Sequence, residues 1–407
     1  MVDSHASFPH VGRRPNDGIY ARAIALEVDG VKLIHLAIDA IGSDKGLNDD
    51  VLAEAVAKGL KTPPGQVVIS GTHSHSGPGA ISSDFLWNIA PATDLLVPHV
   101  RAAMRDHMVT ALLNAEASLV PAKLGFSSTP LLGVTVNRRA HITPGESPTQ
   151  IDPHLGVLVA VDAKSGDRIG TLWNFAIHGV CYSSDNLLFS GDIAGHANTL
   201  LDSSEGGVTV FVNADAGDID PAPGMCDNGP NFVGSKKMAM AVSAAASAIK
   251  PSADGASLAV ASTIVDFGPT DMNATLGRFD NCTSGGELDI CTICEVLRCD
   301  LNVHFNEGWL TNRPPFTAIR LTVSDSTLLA VTMPGEALLE LGWWVRNYTE
   351  PMADTTFLLG YSQSHMGYFT TPDSYQIGGY ESQLTFWGID TAHKILDGVK
   401  AAVTSLP

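Results

Sequence analysis

The chain has 407 residues, of which 44% are hydrophobic and 16% are charged, a composition typical of a folded globular protein rather than a disordered one. Its formal charge of -19 is expected to repel nucleic acid and anionic membrane surfaces. No apolar run approaches the ~20 residues of a membrane-spanning helix, and the N-terminal stretch MVDSHASFPHVGRRP has no signal-peptide core. We therefore expect neither a nucleic-acid partner nor a transmembrane segment.

The first half of the chain predicts strands interleaved with helices. GIYARAIALEVDGVKLIHLAID predicts two strands joined at Asp29-Gly30, a favoured hairpin turn, and DDVLAEAVAKGL predicts a helix that ends at glycine. QVVISGTH is then a short buried strand, and DLLVPHVRAAMRDHMVTALLNAEASL is a long helix. A second hairpin is predicted in LGVLVAVDAKSGDRIGTLWNFAIH, followed by a helix in IAGHANTLLDSS and a strand in VTVFVNADAGD.

The second half continues the same alternation. VGSKKMAMAVSAAASAIK predicts an amphipathic helix, FTAIRLTVSDSTLLAVTMPGE a hairpin, and QLTFWGIDTAHKILDGVKAAVTSL a closing helix. We see no internal repeat and no Pro/Ser-rich linker, and the region from about 251 to 315 has the character of an elaboration on one domain. The expected fold class is α/β, with a mixed β-sheet core and flanking helices, in a single domain over residues 1–407.

Four of the six cysteines crowd into NCTSGGELDICTICEVLRC, at Cys282, Cys291, Cys294 and Cys299. A C-x2-C element can hold zinc, but an even set of cysteines beside three N-glycosylation sequons fits an oxidising compartment equally well. The sequons begin at Asn273, Asn281 and Asn347. This combination favours disulfides that pin a surface loop, and an extracellular or secretory location. Cys181 and Cys226 stand alone and are either buried thiols or a further pair.

Polar residues follow several of the predicted strands, at positions where packing in an apolar core would not require them. They are His73 and His75 after VVISGT, His178 after LWNFAI, Asp215, Asp218 and Asp220 after VTVFVN, and Glu336 after LLAVTMPG. Ligand sites in open α/β sheets gather at strand ends, and alternate side chains of a strand share a face, so His73 and His75 are expected side by side. Two histidines and a carboxylate make a plausible zinc site with an open position for water. Asp39, after LIHLAI, is a candidate to orient a ligand histidine.

Longer segments resemble the neutral, non-lysosomal ceramidase family. GTHSHSGPG resembles the family's THTHSGPGG, NFAIHGVCYSSDNLLFSGDIAGHANTLLD resembles WFAVHPTSM…SGDNKGYASYLFE, and MPGE resembles VPGE. GIYARAIAL, VNRRAH, GYFTTPDSYQIGGYES and FWGIDTAHKI match further family stretches in the same order, from about residue 18 to 400. The resemblance implies the fold of the ceramidase catalytic domain and an enzyme that hydrolyses an amide bond.

The resemblance also implies the roles of individual residues. The zinc ligands would be His73, His178, Glu336 and Tyr368. Tyr368 is the tyrosine of YFTT, and its role rests wholly on the resemblance, since a phenol is an unusual zinc ligand. His75 would lie near the metal-bound water or the substrate oxygen, Arg138 of VNRR would contact an oxyanion or a hydroxyl, and Tyr380 would donate to the scissile carbonyl.

Two departures from the family pattern bear on mechanism and substrate. Where the family has N.GDVSPN with a proposed serine nucleophile, this chain reads DAGDIDPAP, so that Asp220 takes the serine's place. The C-terminal immunoglobulin-like domain of the family is also expected to be absent. Zinc-activated water could still hydrolyse an amide, with Asp220 as its base, although Asp220 could equally be a turn residue beside Pro221.

The resulting hypothesis is a zinc-dependent hydrolase that acts on an N-acyl or lipid-like small molecule. Two alternatives remain open. The same site could cleave an ester or a lactone, or the chain could be a catalytically inactive relative that keeps its zinc.

Overall fold

The computed structural model describes residues 18–89, 95–183, 186–229, 232–270, 272–274, 301–303 and 309–407. Its helices are α1 (Lys45–Ala57), α2 (Phe85–Ile89), α3 (Pro98–Ala117), α4 (Asp192–Glu205), α5 (Val233–Ala248), α6 (Leu339–Thr349), α7 (Pro372–Ile377), α8 (Tyr380–Gln383) and α9 (Thr391–Thr404). The closing helix α9 is shorter than predicted, because Gly388 at φ +71° belongs to a turn that precedes the helix. Among the helices in these ranges, none combines the length and the apolar character that crossing a bilayer requires.

Three sheets supply the framework of the fold. The first contains β1 (Ala21–Val28), β2 (Val31–Ile38) and β3 (Val67–Gly71) in that order. The second has the order β4-β6-β7-β8, with β4 (Ala122–Pro130), β6 (His154–Asp162), β7 (Arg168–Phe175) and β8 (Val208–Asn213). The third has the order β10-β13-β14-β16, with β10 (Ser257–Ile264), β13 (Pro315–Val323), β14 (Ser326–Thr332) and β16 (Thr355–Leu359).

Three two-stranded ladders complete the described strands. They are β5 (Thr135–Asn137) with β9 (Ile219–Pro221), β11 (Met272–Ala274) with β12 (Leu301–Val303), and β15 (Glu336–Ala337) with β17 (Tyr368–Phe369). Antiparallel and parallel pairs occur within each of the three main sheets, so the predicted α/β class with mixed sheets is confirmed.

One topological unit occurs three times, although the sequence shows no internal repeat. In each unit a hairpin is followed by a helix and then by a strand parallel to the second hairpin strand. The units are β1-β2-α1-β3, β6-β7-α4-β8 and β13-β14-α6-β16. The inner faces of the three sheets meet in one apolar cluster that includes Leu33, Leu172 and Leu328. Helices cover the outer faces. The carboxyl ends of β3, β7 and β14 each lead directly into a candidate site residue.

Gly342 of α6 provides a test of this packing. A Cβ at this position would lie 1.8 Å from Asp215 Oδ2, and Asp215 is fully buried. Gly342→Ala is therefore expected to lower the free energy of unfolding by about 3 kcal/mol, the upper end for overpacking a core. Urea denaturation measures this loss. Gly65→Ala is the matched control, because its Cβ would meet only Ser262 at 3.8 Å, and equal stability of the two variants would contradict the packing.

Candidate metal and hydrolytic site

Two histidines enter the site from loops that follow strands. His73 comes two residues after the end of β3, and its φ of +65° places it in a left-handed turn rather than in the extended strand that the sequence predicted. Its ring nevertheless meets the ring of His75 edge-on, with centroids 4.7 Å apart. His178 comes three residues after β7, and its ring lies 4.3 Å from that of His73. The rings meet as expected, but through turns rather than strand alternation.

The orientation of both rings is set by backbone carbonyls. His73 Nδ1 donates to Ile41 O at 2.8 Å, and His178 Nδ1 donates to Ala216 O at 2.7 Å. Each ring therefore presents Nε2 to the centre of the site, and these two nitrogens are 3.0 Å apart. Burial, and in addition the nearby positive charge of Arg138, hold the pKa of His178 well below its usual range. The ring is therefore neutral, and its Nε2 carries a lone pair.

More acceptors converge on the same point. His73 Nε2 lies 3.2 Å from His75 Nε2 and 3.1 Å from Glu336 Oε2. Glu336 Oε2 is also 3.6 Å from His178 Nε2, and it is a buried oxygen without a hydrogen-bond partner among the described residues. A hydrogen on His73 Nε2 can point at only one of these neighbours. A cation satisfies all of them at once, so the residues fit a metal ion.

Two overlapping groups can supply the ligands. The three imidazoles of His73, His75 and His178 place one ring nitrogen each within 4.8 Å of one another. Glu336 adds a carboxylate, and Tyr368 lies directly beside it because β15 and β17 pair in parallel with these two residues in register. Burial raises the pKa of Tyr368 well above its usual range, with a further contribution from the Glu336 charge. Burial would also raise the pKa of Glu336, but the neighbouring His73 outweighs it and lowers the pKa.

Arg138 connects Tyr368 to the open side of the site. It donates from Nη2 to Tyr368 OH at 3.1 Å and to Gly217 O at 2.8 Å. Nη1 donates to Asp220 Oδ1 at 3.1 Å, and Nε donates to Glu381 Oε1 at 2.9 Å. Four of the five N–H groups of this guanidinium are therefore directed at groups of its own chain.

Asp220 and Tyr380 lie at the accessible edge. Asp220 belongs to β9, where it pairs with Val136 of β5, so the alternative of a turn residue is wrong. Its side chain is 29% exposed, whereas that of Glu381 is 4% exposed. The ring of Tyr380 meets the ring of Tyr368 edge-on at 5.6 Å, and Tyr380 is 49% exposed. The structure thus brings the sequence-predicted site residues into one neighbourhood.

The sequence did not single out three residues that contribute to this neighbourhood. His365 Nε2 lies 3.7 Å from Glu336 Oε1, and burial lowers the pKa of His365 to about 4. The buried ring of Tyr361 packs 4.2 Å from that of His73. Glu381 accepts hydrogen bonds from both Arg138 and Arg139. A histidine after the β16 strand was the available signal for His365.

Three acidic candidates have other roles. Asp39 was expected to orient a ligand histidine, but backbone carbonyls occupy Nδ1 of both rings, and Asp39 accepts from Tyr20 N at 2.9 Å. Asp218 is buried and accepts from Leu339 N at 2.9 Å, and burial raises its pKa to about 7. Burial and the nearby charge of Asp152 raise the pKa of Asp215 well above its usual range. The contact of Asp218 with Leu339 N, at the start of α6, indicates a structural role for that residue.

A disulfide joins Cys181 to Cys226. The sequence alone was compatible with either two buried thiols or this pair. The bond connects the segment after His178 to the segment after Asp220. The disulfide closes a loop of 45 residues and so restricts the unfolded chain. The double variant Cys181→Ser/Cys226→Ser is therefore expected to lose about 4 kcal/mol of unfolding free energy. Urea denaturation measures the loss. An unchanged midpoint, or peptide mapping that finds both thiols free without reductant, would contradict it.

The crowded cysteines lie outside the described residues. Cys282, Cys291, Cys294 and Cys299 belong to that cluster. Their assignment to disulfides or to a metal site, and their predicted remoteness from catalysis, stay predictions.

Taken together, fold and site define an α/β protein with a buried cluster of metal-ligating side chains where the ends of three sheets meet. A sequence profile described as "Neutral/alkaline non-lysosomal ceramidase, N-terminal" matches residues 12–257. The chain therefore belongs to the neutral/alkaline non-lysosomal ceramidase family.

Individual relatives agree with this assignment. The chain is 29% identical over 171 residues to a neutral ceramidase of Mycobacterium tuberculosis, a match that covers 38% of this chain and 26% of that relative. It is 28% identical over 218 residues to a neutral ceramidase of Pseudomonas aeruginosa, covering 50% and 32% of the two chains. A solved structure of neutral ceramidase from Pseudomonas aeruginosa has the same fold, with a TM-score of 0.77, 22% identity, and coverage of 99% of this chain and 73% of that chain. The matches thus span about a quarter to a third of the curated relatives' length.

Proposed function

We propose that this protein is a zinc-dependent hydrolase that cleaves the amide bond of an N-acyl or lipid-like small molecule with water. One observation supports the proposal most strongly. The acceptor atoms His73 Nε2, His178 Nε2 and Glu336 Oε2 converge in a buried space, where only a cation relieves their mutual repulsion. Membership of the ceramidase family supports the amide as the bond.

His73, His178, Glu336 and Tyr368 would hold the zinc ion. When bound, zinc acts as a Lewis acid that lowers the pKa of water from 15.7 to roughly 7 and polarises a carbonyl. Nδ1 of each histidine is already bonded to a backbone carbonyl, so neither ring needs to reorient on binding. His75, whose Nε2 faces the same centre, also belongs to the cluster that can supply ligands.

Three residues act on the substrate or on water in this proposal, and a fourth, Arg138, positions two side chains of the site. His75 lies at the site centre, within reach of water or the substrate oxygen, and Tyr380 donates a hydrogen bond from its phenol to the scissile carbonyl. Arg138 holds the Tyr368 phenol and the Asp220 carboxylate in place. The Asp220 carboxylate takes a proton from water and delivers it to the leaving amine, since no serine hydroxyl occupies its position.

The test combines metal removal with a substrate panel. Chelation and dialysis should abolish hydrolysis, and stoichiometric zinc should restore it at about one ion per chain. Ceramide and simpler N-acyl amines, together with esters and lactones of the same acyl chain, then identify the bond. Turnover of esters alone would establish the esterase alternative. Zinc binding without any turnover would establish an inactive relative, and full activity after metal removal would overturn the proposal.

A further inference from the structure

The arginine at the edge of the site is engaged by groups of its own chain. Arg138 directs Nε, Nη1 and both Nη2 hydrogens to its own chain, to Glu381, Asp220, Gly217 and Tyr368. Little of its donor capacity remains for an incoming anion. A substrate that reaches this edge meets the Arg138–Asp220 ion pair, whose side chains are 24% and 29% exposed, and most donors of the guanidinium in that pair are already used.

Among these partners, Asp220 is the exposed carboxylate. Glu381 is 4% exposed, and its two oxygens accept from Arg138 and Arg139 respectively. The positive charges of Arg138 and Arg139 are thus balanced by Glu381 and Asp220. Asp220 has a 29% exposed side chain and accepts from Arg138 through Oδ1, which leaves Oδ2 able to accept from a ligand.

An exposed aromatic ring lies on the same edge. Tyr380 is 49% exposed and its ring packs edge-on against Tyr368, whose hydroxyl is bonded to Arg138. A carboxylate together with an aromatic face is a combination that recognises organic ammonium groups, by charge and by cation–π attraction.

We infer that Asp220 is a specificity-determining residue that selects substrates whose amine portion carries a positive charge. The substrate class is then an N-acylated diamine or related N-acyl amine with an ammonium group close to the scissile amide. This inference rests on the proposed hydrolase function and narrows its substrate.

The experiment uses three N-acyl amines with one common acyl chain. Their amine portions end in a trimethylammonium group, an uncharged group of similar size, or a carboxylate. We expect kcat/KM to be about tenfold higher for the cationic than for the neutral substrate, and lowest for the anionic one. Because Asp220 is partly exposed, this preference should shrink as salt rises from about 0.05 M to about 0.5 M.

Variants separate the charge effect from general loss of activity. Asp220→Asn should bring the ratio of cationic to neutral kcat/KM close to one, and a uniform fall in kcat cancels in that ratio. Asp254→Asn removes the same charge from an exposed position near the Ser324 turn, at the opposite end of β14 from Glu336, and should keep the preference.

The possible results distinguish a failure of this inference from a failure of the proposed hydrolase function. Hydrolysis of none of the three substrates, nor of ceramide, by zinc-loaded protein would contradict the proposed function. Hydrolysis of the neutral or anionic amide at least as fast as the cationic one would uphold the function and overturn the inference. A preference that survives in Asp220→Asn would also overturn it, since another group would then be responsible.

Discussion

Replacing His73 or His178 by alanine is expected to remove the bound zinc and to lower kcat/KM by about 10⁴-fold or more, because in the proposed function the chemistry depends on the ion. Each substitution deletes one of the converging nitrogens and the ring that a backbone carbonyl orients. Three of the four proposed ligands remain in each variant, and such a set is expected to hold zinc far less tightly. Elemental analysis of the purified variants gives the metal content, and kinetics on the best amide of the panel gives the activity.

The control is His393→Ala in α9. The His393 side chain is exposed, and its ring contacts Trp344 rather than any residue of the site. This variant should retain one zinc per chain and full activity. Circular dichroism checks that the site variants are folded, which matters since both rings are buried. Full zinc in either His73→Ala or His178→Ala would show that the ion is held elsewhere, and normal activity without zinc would contradict metal-dependent hydrolysis.

Local sequence patterns predict much of the framework. Asp29-Gly30 forms the expected hairpin with positive φ at both residues, and Pro98 begins the long helix α3 as the N1 preference of proline implies. The threefold recurrence of the hairpin-helix-strand unit escaped detection because the units share topology, not residues. The inner face of β2 carries His35, for example, whereas that of its counterpart β14 carries Leu328 and Ala330.

The site was predictable to the extent that ligand chemistry is local. His73, His178 and Glu336 follow apolar strands and are good ligands for zinc, so their positions carry a signal in one sequence. Tyr368 carries none, and only the resemblance to ceramidases identified it. Asp39 was expected to orient a ligand histidine, but the rings of His73 and His178 are oriented by backbone carbonyls, which no sequence pattern displays.

The replacement Asp220→Asn is expected to keep zinc and fold while lowering kcat by about 10²–10⁴-fold, the usual loss with a general base. The amide oxygen can still accept from Arg138 Nη1, so the contact at 3.1 Å survives while the basic group is lost. Steady-state kinetics of the zinc-loaded variant gives kcat, and elemental analysis gives its metal content. If Asp220 only holds Arg138 in place, the loss of kcat should stay below about tenfold.

Asp220→Ser extends the test to the residue that the family pattern places here. A serine side chain is one heavy-atom layer shorter and lacks the charge that pairs with Arg138, so Arg138 would regain donors for a substrate oxygen. We expect kcat to fall at least as far as in Asp220→Asn, because Asp220 is absent in both variants and the geometry around it is adapted to a carboxylate. Ceramide turnover should therefore not rise. If it does rise, and an acyl-enzyme forms at the new serine under rapid quenching, the hydroxyl acts as a nucleophile on this scaffold. The site would then allow two mechanisms: attack by a serine nucleophile in the variant, and attack by water with Asp220 as base in this protein.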